Sequence, residues 1–272
     1  MPDHPDEYHL DHLLIGEGDE ICLAFHGFGQ EPEVMKYLSE PPEFHFKVIS
    51  IALHYHGNSS APDAKKAILS EEFNLQIEKI LALYQVKTFY LAGFSIGARL
   101  ALSILPYFSD RIKGLWLFAP DGLPVSTSYK IATQNVLGNA VFKWLLRYGF
   151  ALRILLMKGR FFRLIDKKTA AYFQNELKTK VLRNRIFNTW MLYRDLIPDM
   201  QAIKTAMDTH LIPLKIISGK YDKVIPPSSI SKYLKKNAIP AEIIIIPHGH
   251  NLMSSKAFRR LGDFVQERVG AY

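Results

Sequence analysis

The feature that most narrows the fold is a five-residue turn, Gly93-Phe94-Ser95-Ile96-Gly97. It follows an apolar run, Thr88-Phe89-Tyr90-Leu91-Ala92, and leads into Ala98-Arg99-Leu100-Ala101-Leu102, which reads as a helix start. A G-x-S-x-G segment between a strand and a helix holds its serine in a sharp, strained turn with the hydroxyl exposed. Only residues without bulk fit two positions before and after that serine, hence the glycines. The helix N-terminus behind the turn adds positive potential and N–H groups without intrahelical acceptors. An oxyanion formed at Ser95 would sit there.

Three further apolar runs end in polar residues that suit the same chemistry. Ile21-Cys22-Leu23-Ala24-Phe25 leads into His26-Gly27-Phe28-Gly29. Leu214-Lys215-Ile216-Ile217-Ser218 leads into Gly219-Lys220-Tyr221-Asp222. Glu242-Ile243-Ile244-Ile245-Ile246 leads into Pro247-His248-Gly249-His250. In an open parallel sheet, residues just past strand ends gather along one edge, outside the carboxyl ends of the strands. The order Ser95, Asp222, His250 is the chain order of a nucleophile, an acid and a base on a strand–turn–helix elbow.

On these motifs the chain resembles the α/β-hydrolase superfamily over nearly its whole length. The matching segments are the H-G-x-G loop (His26 to Gly29), the elbow (Gly93 to Gly97), the G-x-x-D turn (Gly219 to Asp222) and the G-H pair (Gly249-His250). A looser match is His56-Gly57-Asn58-Ser59, after the run Phe46 to Ala52. Relatives usually carry an Asp and an additional Gly before that segment. Ala52 and Tyr55 stand in those places here, so a differently shaped loop is expected. The resemblance implies a mostly parallel twisted sheet with helices on both faces, an inserted helical cap, and serine hydrolase activity.

The chain has 272 residues, 48% of them hydrophobic, enough for one large α/β domain or a core with an insertion. The segment Met1 to Leu10 is polar and acidic, without the basic and apolar regions of a signal peptide. No stretch reaches eighteen uninterrupted apolar residues. The single cysteine, Cys22, falls inside an expected strand and reads as a small buried hydrophobe. These features favour a cytoplasmic protein. Lys and Arg number fourteen between positions 130 and 195, against Asp166, Glu176 and Asp195; this segment carries +11 and the remainder −3.

A turn at Gly16-Glu17-Gly18-Asp19 joins two short strands, after which strands alternate with helices. Ser70 reads as an N-cap, with Glu71 and Glu72 in the first helical turn. Phe73, Ile77, Ile80, Leu81 and Tyr84 follow at helical spacing. The alternation breaks at Pro120-Asp121-Gly122-Leu123-Pro124 and resumes near Pro213. Helical stretches are expected over Asn139 to Met157, Lys167 to Leu177 and Leu182 to Leu196. Residues 1–122 and 208–272 therefore read as the core and 123–207 as a helical cap, with a last helix from Lys256 to Val269.

A serine hydroxyl is a poor nucleophile at neutral pH and needs a base within hydrogen-bond reach. His250 is the expected base and Asp222 its orienting acid, with backbone N–H groups of Ile96 and Phe28 as oxyanion donors. Asp121 also follows a strand and is the competing acid; Asp222, in its Gly-x-x-Asp turn, fits better. Expected substrate contacts are His26, Arg99, Trp144 and Trp190. His26 is also expected to pack beneath its loop through hydrogen bonds, and Phe150, Phe161, Phe162 and Tyr193 to help pack the cap.

Arg99, in G-x-S-x-G-x-R, also resembles the elbow of the menaquinone-pathway lyase of the superfamily, although Ala98 replaces a second glycine usual there. Lyase chemistry therefore stands as an alternative, and a non-catalytic binding protein on the same fold as another. The pairs His54/His56 and His248/His250 lack third and fourth ligands at metal spacing, so no metal is expected. Gly-rich phosphate loops, dinucleotide fingerprints and nucleic-acid modules are absent from the sequence, so neither a cofactor nor a nucleic acid is expected. The expected partner is a small acyl substrate; the basic cap suits an anionic one, or a peripheral contact with an anionic membrane surface. Nothing in the sequence sets the oligomeric state.

Overall fold

The computed structural model describes residues 8–41, 44–61, 66–150, 154 and 177–269. Seven strands form one sheet: β1 (His12–Ile15), β2 (Glu20–Phe25), β3 (Phe46–Ile51), β4 (Phe89–Phe94), β5 (Ile112–Phe118), β6 (Leu214–Gly219) and β7 (Glu242–Ile246), in the order β1-β3-β2-β4-β5-β6-β7. All neighbours are parallel except β1, which runs antiparallel to β3. The Gly16–Asp19 turn does join two short strands, but β3 lies between them, so they form no hairpin.

The helices are α1 (Ser70–Leu83), α2 (Ile96–Ile104), α3 (Thr127–Gln134), α4 (Val136–Arg147), α5 (Lys180–Leu192), α6 (Met200–His210), α7 (Pro227–Lys236) and α8 (Ser255–Val269), with a 3₁₀ helix over Pro32–Ser39. Alternate strand residues serve opposite faces, as the two-residue period of a strand requires. Leu23 and Phe25 of β2 join a core with Phe73 and Ile77 of α1 and Leu100 of α2. Cys22 and Ala24 join another with Met35 and Leu38 of the 3₁₀ helix and Phe258 of α8. Burial on both faces explains why the parallel strands read as near-continuous apolar runs rather than alternating ones.

Ser70 is the first residue of α1 rather than its cap. Leu69 holds the cap position, in extended backbone, and the Glu72 carboxylate accepts its N–H at 2.9 Å. The acid of the first turn thus reaches back to the cap residue's own N–H, a different donor from the first-turn N–H groups that a capping serine hydroxyl accepts. The α2 helix begins at Ile96, directly after Ser95.

Between β5 and β6 the described residues include the helices α3, α4, α5 and α6 and no strand. Here α4 starts before Asn139, because Asn135 accepts the Gly138 N–H and fixes the start, and it breaks at Tyr148, which leaves helical backbone; Gly149, Phe150 and Ile154 are helical again, and the rest of the expected stretch to Met157 lies outside the described residues. The expected stretch from 167 to 177 lies outside the described residues except for Leu177, as do Phe161 and Phe162. The α5 helix begins at Lys180, where Thr179 accepts the Leu182 N–H, and ends at Leu192, earlier than its apolar periodicity suggests. Ile203 and Met207 of α6 pack into the core beneath the sheet.

The chain leaves β2 towards β3 on one side and later enters β4 on the other, and β4 pairs directly with β2. This is a point where strand order reverses, and the carboxyl ends of β2 and β4 open a crevice there. The loop beginning His26-Gly27-Phe28-Gly29 leaves one side of it and Ser95 the other.

Candidate active site

Ser95 has φ 53° and ψ −120°, a left-handed backbone that a serine adopts only when its surroundings enforce it. The Ser95 N–H donates to the Phe118 carbonyl of β5 at 3.0 Å, and the Ser95 carbonyl accepts the Asp121 N–H at 3.1 Å. Neighbouring glycines make the turn possible. A Cβ on Gly93 would overlap the Gly97 carbonyl and the Ala98 backbone, and one on Gly97 would overlap the Phe25 and His26 carbonyls. The start of α2 is thereby seated against the end of β2. Ser95 makes no side-chain cap bond to α2, which leaves its hydroxyl available.

That hydroxyl lies 3.1 Å from Nε2 of His250, and Nδ1 of His250 lies 2.7 Å from Oδ2 of Asp222. The other Asp222 oxygen accepts the N–H groups of Val224 at 2.8 Å and Ile225 at 2.9 Å. The carboxylate side chain is fully buried, and the imidazole is mostly so. A carboxylate fixed by two backbone donors can hold the imidazole with its proton on Nδ1, leaving Nε2 to accept from serine. The β6 and β7 turns are locked together: Tyr221 donates to the His248 carbonyl, and a Cβ on Gly219 would overlap the Gly249 and His248 carbonyls. Gly249 itself has open space where a Cβ would stand.

Asp121 is engaged elsewhere. Its carboxylate lies 3.4 Å from Nε of Arg99, whose side chain is fully buried and whose guanidinium stacks on the Tyr129 ring at 3.8 Å. Burial raises the Tyr129 hydroxyl pKa, which keeps that ring neutral beneath the cation. Arg99 thus lies one helical turn behind Ser95, bound between Asp121 and α3.

The loop after β2 rests on buried imidazoles. His26 accepts the Leu53 N–H on Nε2 at 3.0 Å and donates from Nδ1 to the Gly27 carbonyl at 2.8 Å, beneath the loop as expected. His56 accepts the Gly29 N–H at 3.2 Å and packs edge-on against Phe28. Desolvation by burial lowers the pKa of His26 to about 4 and that of His56 to about 3, so both rings act as neutral supports. His54 is likewise lowered to about 3 by burial, and its Nδ1 meets the Tyr193 hydroxyl at 2.8 Å. Tyr55 takes φ 67°, a left-handed backbone that favours glycine.

Several contacts at the site escaped sequence reasoning. Gln30 accepts the Gly27 N–H and donates to the Asn251 side chain at 3.2 Å, joining the β2 loop to the residue after His250. Glu31 accepts the Gly57 N–H and pairs with Arg185 of α5 at 3.4 Å. The only available signal was their position beside the motifs.

Trp190 stacks on Phe142 at 5.0 Å, and Trp144 lies half-exposed on α4. Cys22 is fully buried, and burial raises its thiol pKa. Among the described residues, no group of three or more His, Cys, Asp or Glu could hold a metal ion, and no helix is long and apolar enough to cross a membrane.

A family model described as alpha/beta hydrolase fold matches residues 23–257. The sequence is similar to the probable lysophospholipase BODYGUARD 1 of Arabidopsis thaliana, 22% identical over 231 residues, covering 77% of this chain and 49% of that protein. The chain therefore spans about half the length of this relative. The structure is similar to a thermophilic esterase from Thermogutta terrifontis, with TM-score 0.66 and 18% identity, covering 98% of this chain and 96% of that one. It is also similar to the thioesterase domain from the curacin biosynthetic pathway, with TM-score 0.56 and 16% identity, covering 96% of this chain and all of that one. At such identities the structural likeness speaks for the fold.

Proposed function

The chain belongs to the alpha/beta hydrolase fold family, and within it we propose that the protein is a serine hydrolase transferring the acyl group of an ester or thioester to water. The observation that carries this reading is the unbroken hydrogen-bonded chain from Ser95 through His250 to Asp222.

In this reading His250 Nε2 takes the hydroxyl proton as Ser95 Oγ attacks the acyl carbonyl carbon. Asp222 stabilises the imidazolium that forms. The oxyanion accepts from the backbone N–H of Ile96, the first residue of α2, and from that of Phe28 across the crevice. The tetrahedral intermediate collapses, and His250 returns the proton to the departing alcohol or thiol. Water, with His250 again as base, then attacks the acyl-enzyme; the acid leaves and Ser95 regains its proton. The helices α3, α4 and α5 serve as part of a cap over the crevice, with Trp190 among their packing residues.

Two observations favour this reading over its alternatives. Arg99 is enclosed by Asp121 and Tyr129, whereas the lyase reading wants it facing substrate. All three members of the hydroxyl–imidazole–carboxylate chain stand within hydrogen-bond reach, which a binding protein would not require. The similarity in sequence to a protein described as a probable lysophospholipase supports acyl transfer as the reaction class.

The test is a screen of purified protein against esters and thioesters of graded acyl length, with the menaquinone-pathway lyase substrate included. Hydrolysis that disappears in Ser95→Ala supports the reading. Hydrolysis that survives in a folded Ser95→Ala overturns it, and elimination without hydrolysis transfers the assignment to the lyase.

A further inference from the structure

The helix α4 is apolar on both sides. Its inner side packs within the insertion: Phe142 stacks on Trp190 and contacts Phe187, and Leu146 is buried. Its outer side is also apolar, which a helix needing only to pack does not require. Val136 is 90% exposed, Leu137 74%, Trp144 50% and Val141 49%, with Tyr148 exposed just beyond the helix end. At helical pitch these side chains and Ala140 share one arc of about 140°. Lys143 and Arg147 stand along one edge of that arc, and neither forms an ion pair with a carboxylate among the described residues.

In sequence, the segment that carries this helix has charge of one sign. From Gly122 to Ile165 the sequence contains seven Lys and Arg and no acidic residue. An exposed apolar strip holding a tryptophan and edged by cations is the pattern of a helix lying in a bilayer interface. There the apolar side chains enter the acyl boundary, the tryptophan settles at headgroup level, and the cations meet anionic lipid. A second copy of the chain fits this face poorly, because self-association would bring two basic segments together. A small anionic substrate would account for the charge but not for four exposed apolar side chains.

We infer that the outer face of α4 docks on an anionic lipid bilayer, with Val136, Leu137, Val141 and Trp144 inserted and Lys143 and Arg147 at the headgroups. This goes beyond the hydrolase reading and stands independently of it, since docking requires no turnover.

The test is sedimentation with phosphatidylcholine vesicles and with vesicles that also contain phosphatidylglycerol, at low and high salt. The proteins are the full chain, a Val136→Ser/Leu137→Ser/Trp144→Ser variant and a Lys143→Glu/Arg147→Glu variant. The substituted side chains are exposed, so the variants should keep the wild-type Tm, which is measured alongside. The expected result is binding to the anionic vesicles that weakens with salt and falls by at least about tenfold in each variant, since each cation near such a surface contributes about fivefold. Quenching of tryptophan fluorescence by brominated lipid should be largely lost in Trp144→Phe. Several results would overturn the inference. Among them are no binding to either vesicle, equal binding to both, or binding unchanged in both variants. A dimer that the apolar variant dissociates would assign the face to a second copy. A salt-sensitive preference for soluble anionic esters, lost in the charge variant without any vesicle binding, would assign the charge to substrate steering.

Discussion

Asp222 and His250 meet at 2.7 Å across the ends of two adjacent strands, while Asp121, the other carboxylate past a strand end, pairs with Arg99. The two acids therefore stand in different relations to Ser95. One orients the imidazole that faces the hydroxyl. The other balances a buried cation behind the elbow.

Substitution should separate these roles. Asp222→Asn should lower kcat by on the order of 10⁴, because the imidazole loses the acceptor that fixes its tautomer. Asp121→Asn should keep kcat within about tenfold but destabilise the fold by roughly 3 kcal/mol, the low end for breaking a buried pair, because Asp121 is partly exposed. Steady-state kinetics and urea unfolding on both variants check this. A large kcat loss confined to Asp121→Asn would move the acid to β5.

The glycines of the site should differ in tolerance. Gly219→Ala should cost roughly 1–3 kcal/mol or more and disturb the His250 loop, because the new Cβ meets the His248 and Gly249 carbonyls. Gly249→Ala should leave Tm and kcat near wild type, because nothing lies within 4 Å of its Cβ position. Equal effects from the two would show that the β6 and β7 turns are not locked in this way.

Acid should loosen the fold through the buried histidines. His26, His54 and His56 have folded pKa values of about 4, 3 and 3 against an ordinary 6.5, with burial the leading cause. Below 6.5 the unfolded chain binds protons that the folded chain refuses, so stability falls with pH from 6.5 towards the folded values. Each ring should contribute a slope of up to about 1.4 kcal/mol per pH unit. Unfolding by urea between pH 7 and pH 5 checks this. His54→Gln should be less stable at pH 7 but lose stability less steeply than wild type; parallel slopes would mean that His54 is not held neutral.

Local pattern and motif spacing made much of this architecture readable. The strand ends at Phe25, Phe94, Gly219 and Ile246 carry their motifs because strand-to-turn transitions need short-range residues such as Gly93 and Gly219. Contacts between distant segments were hidden. The Tyr193 hydroxyl on His54, Gln30 on Asn251 and Arg99 on Asp121 and Tyr129 depend on how the loops meet once the sheet is built. The placement of β3 between β1 and β2 was hidden for the same reason. The Leu69 cap was missed because its neighbour Ser70 carries the side chain that caps favour, while the structure puts Ser70 inside the first turn and the Glu72 carboxylate on the Leu69 N–H.

The central claim is that Ser95 is the nucleophile, and fluorophosphonate labelling with peptide mass spectrometry tests it most directly. The account predicts a single adduct on the Ser95 peptide, formed slowly in His250→Ala and absent in Ser95→Ala. An unlabelled Ser95 in a folded protein that hydrolyses esters, or an adduct on another residue with the same loss of activity, would contradict it.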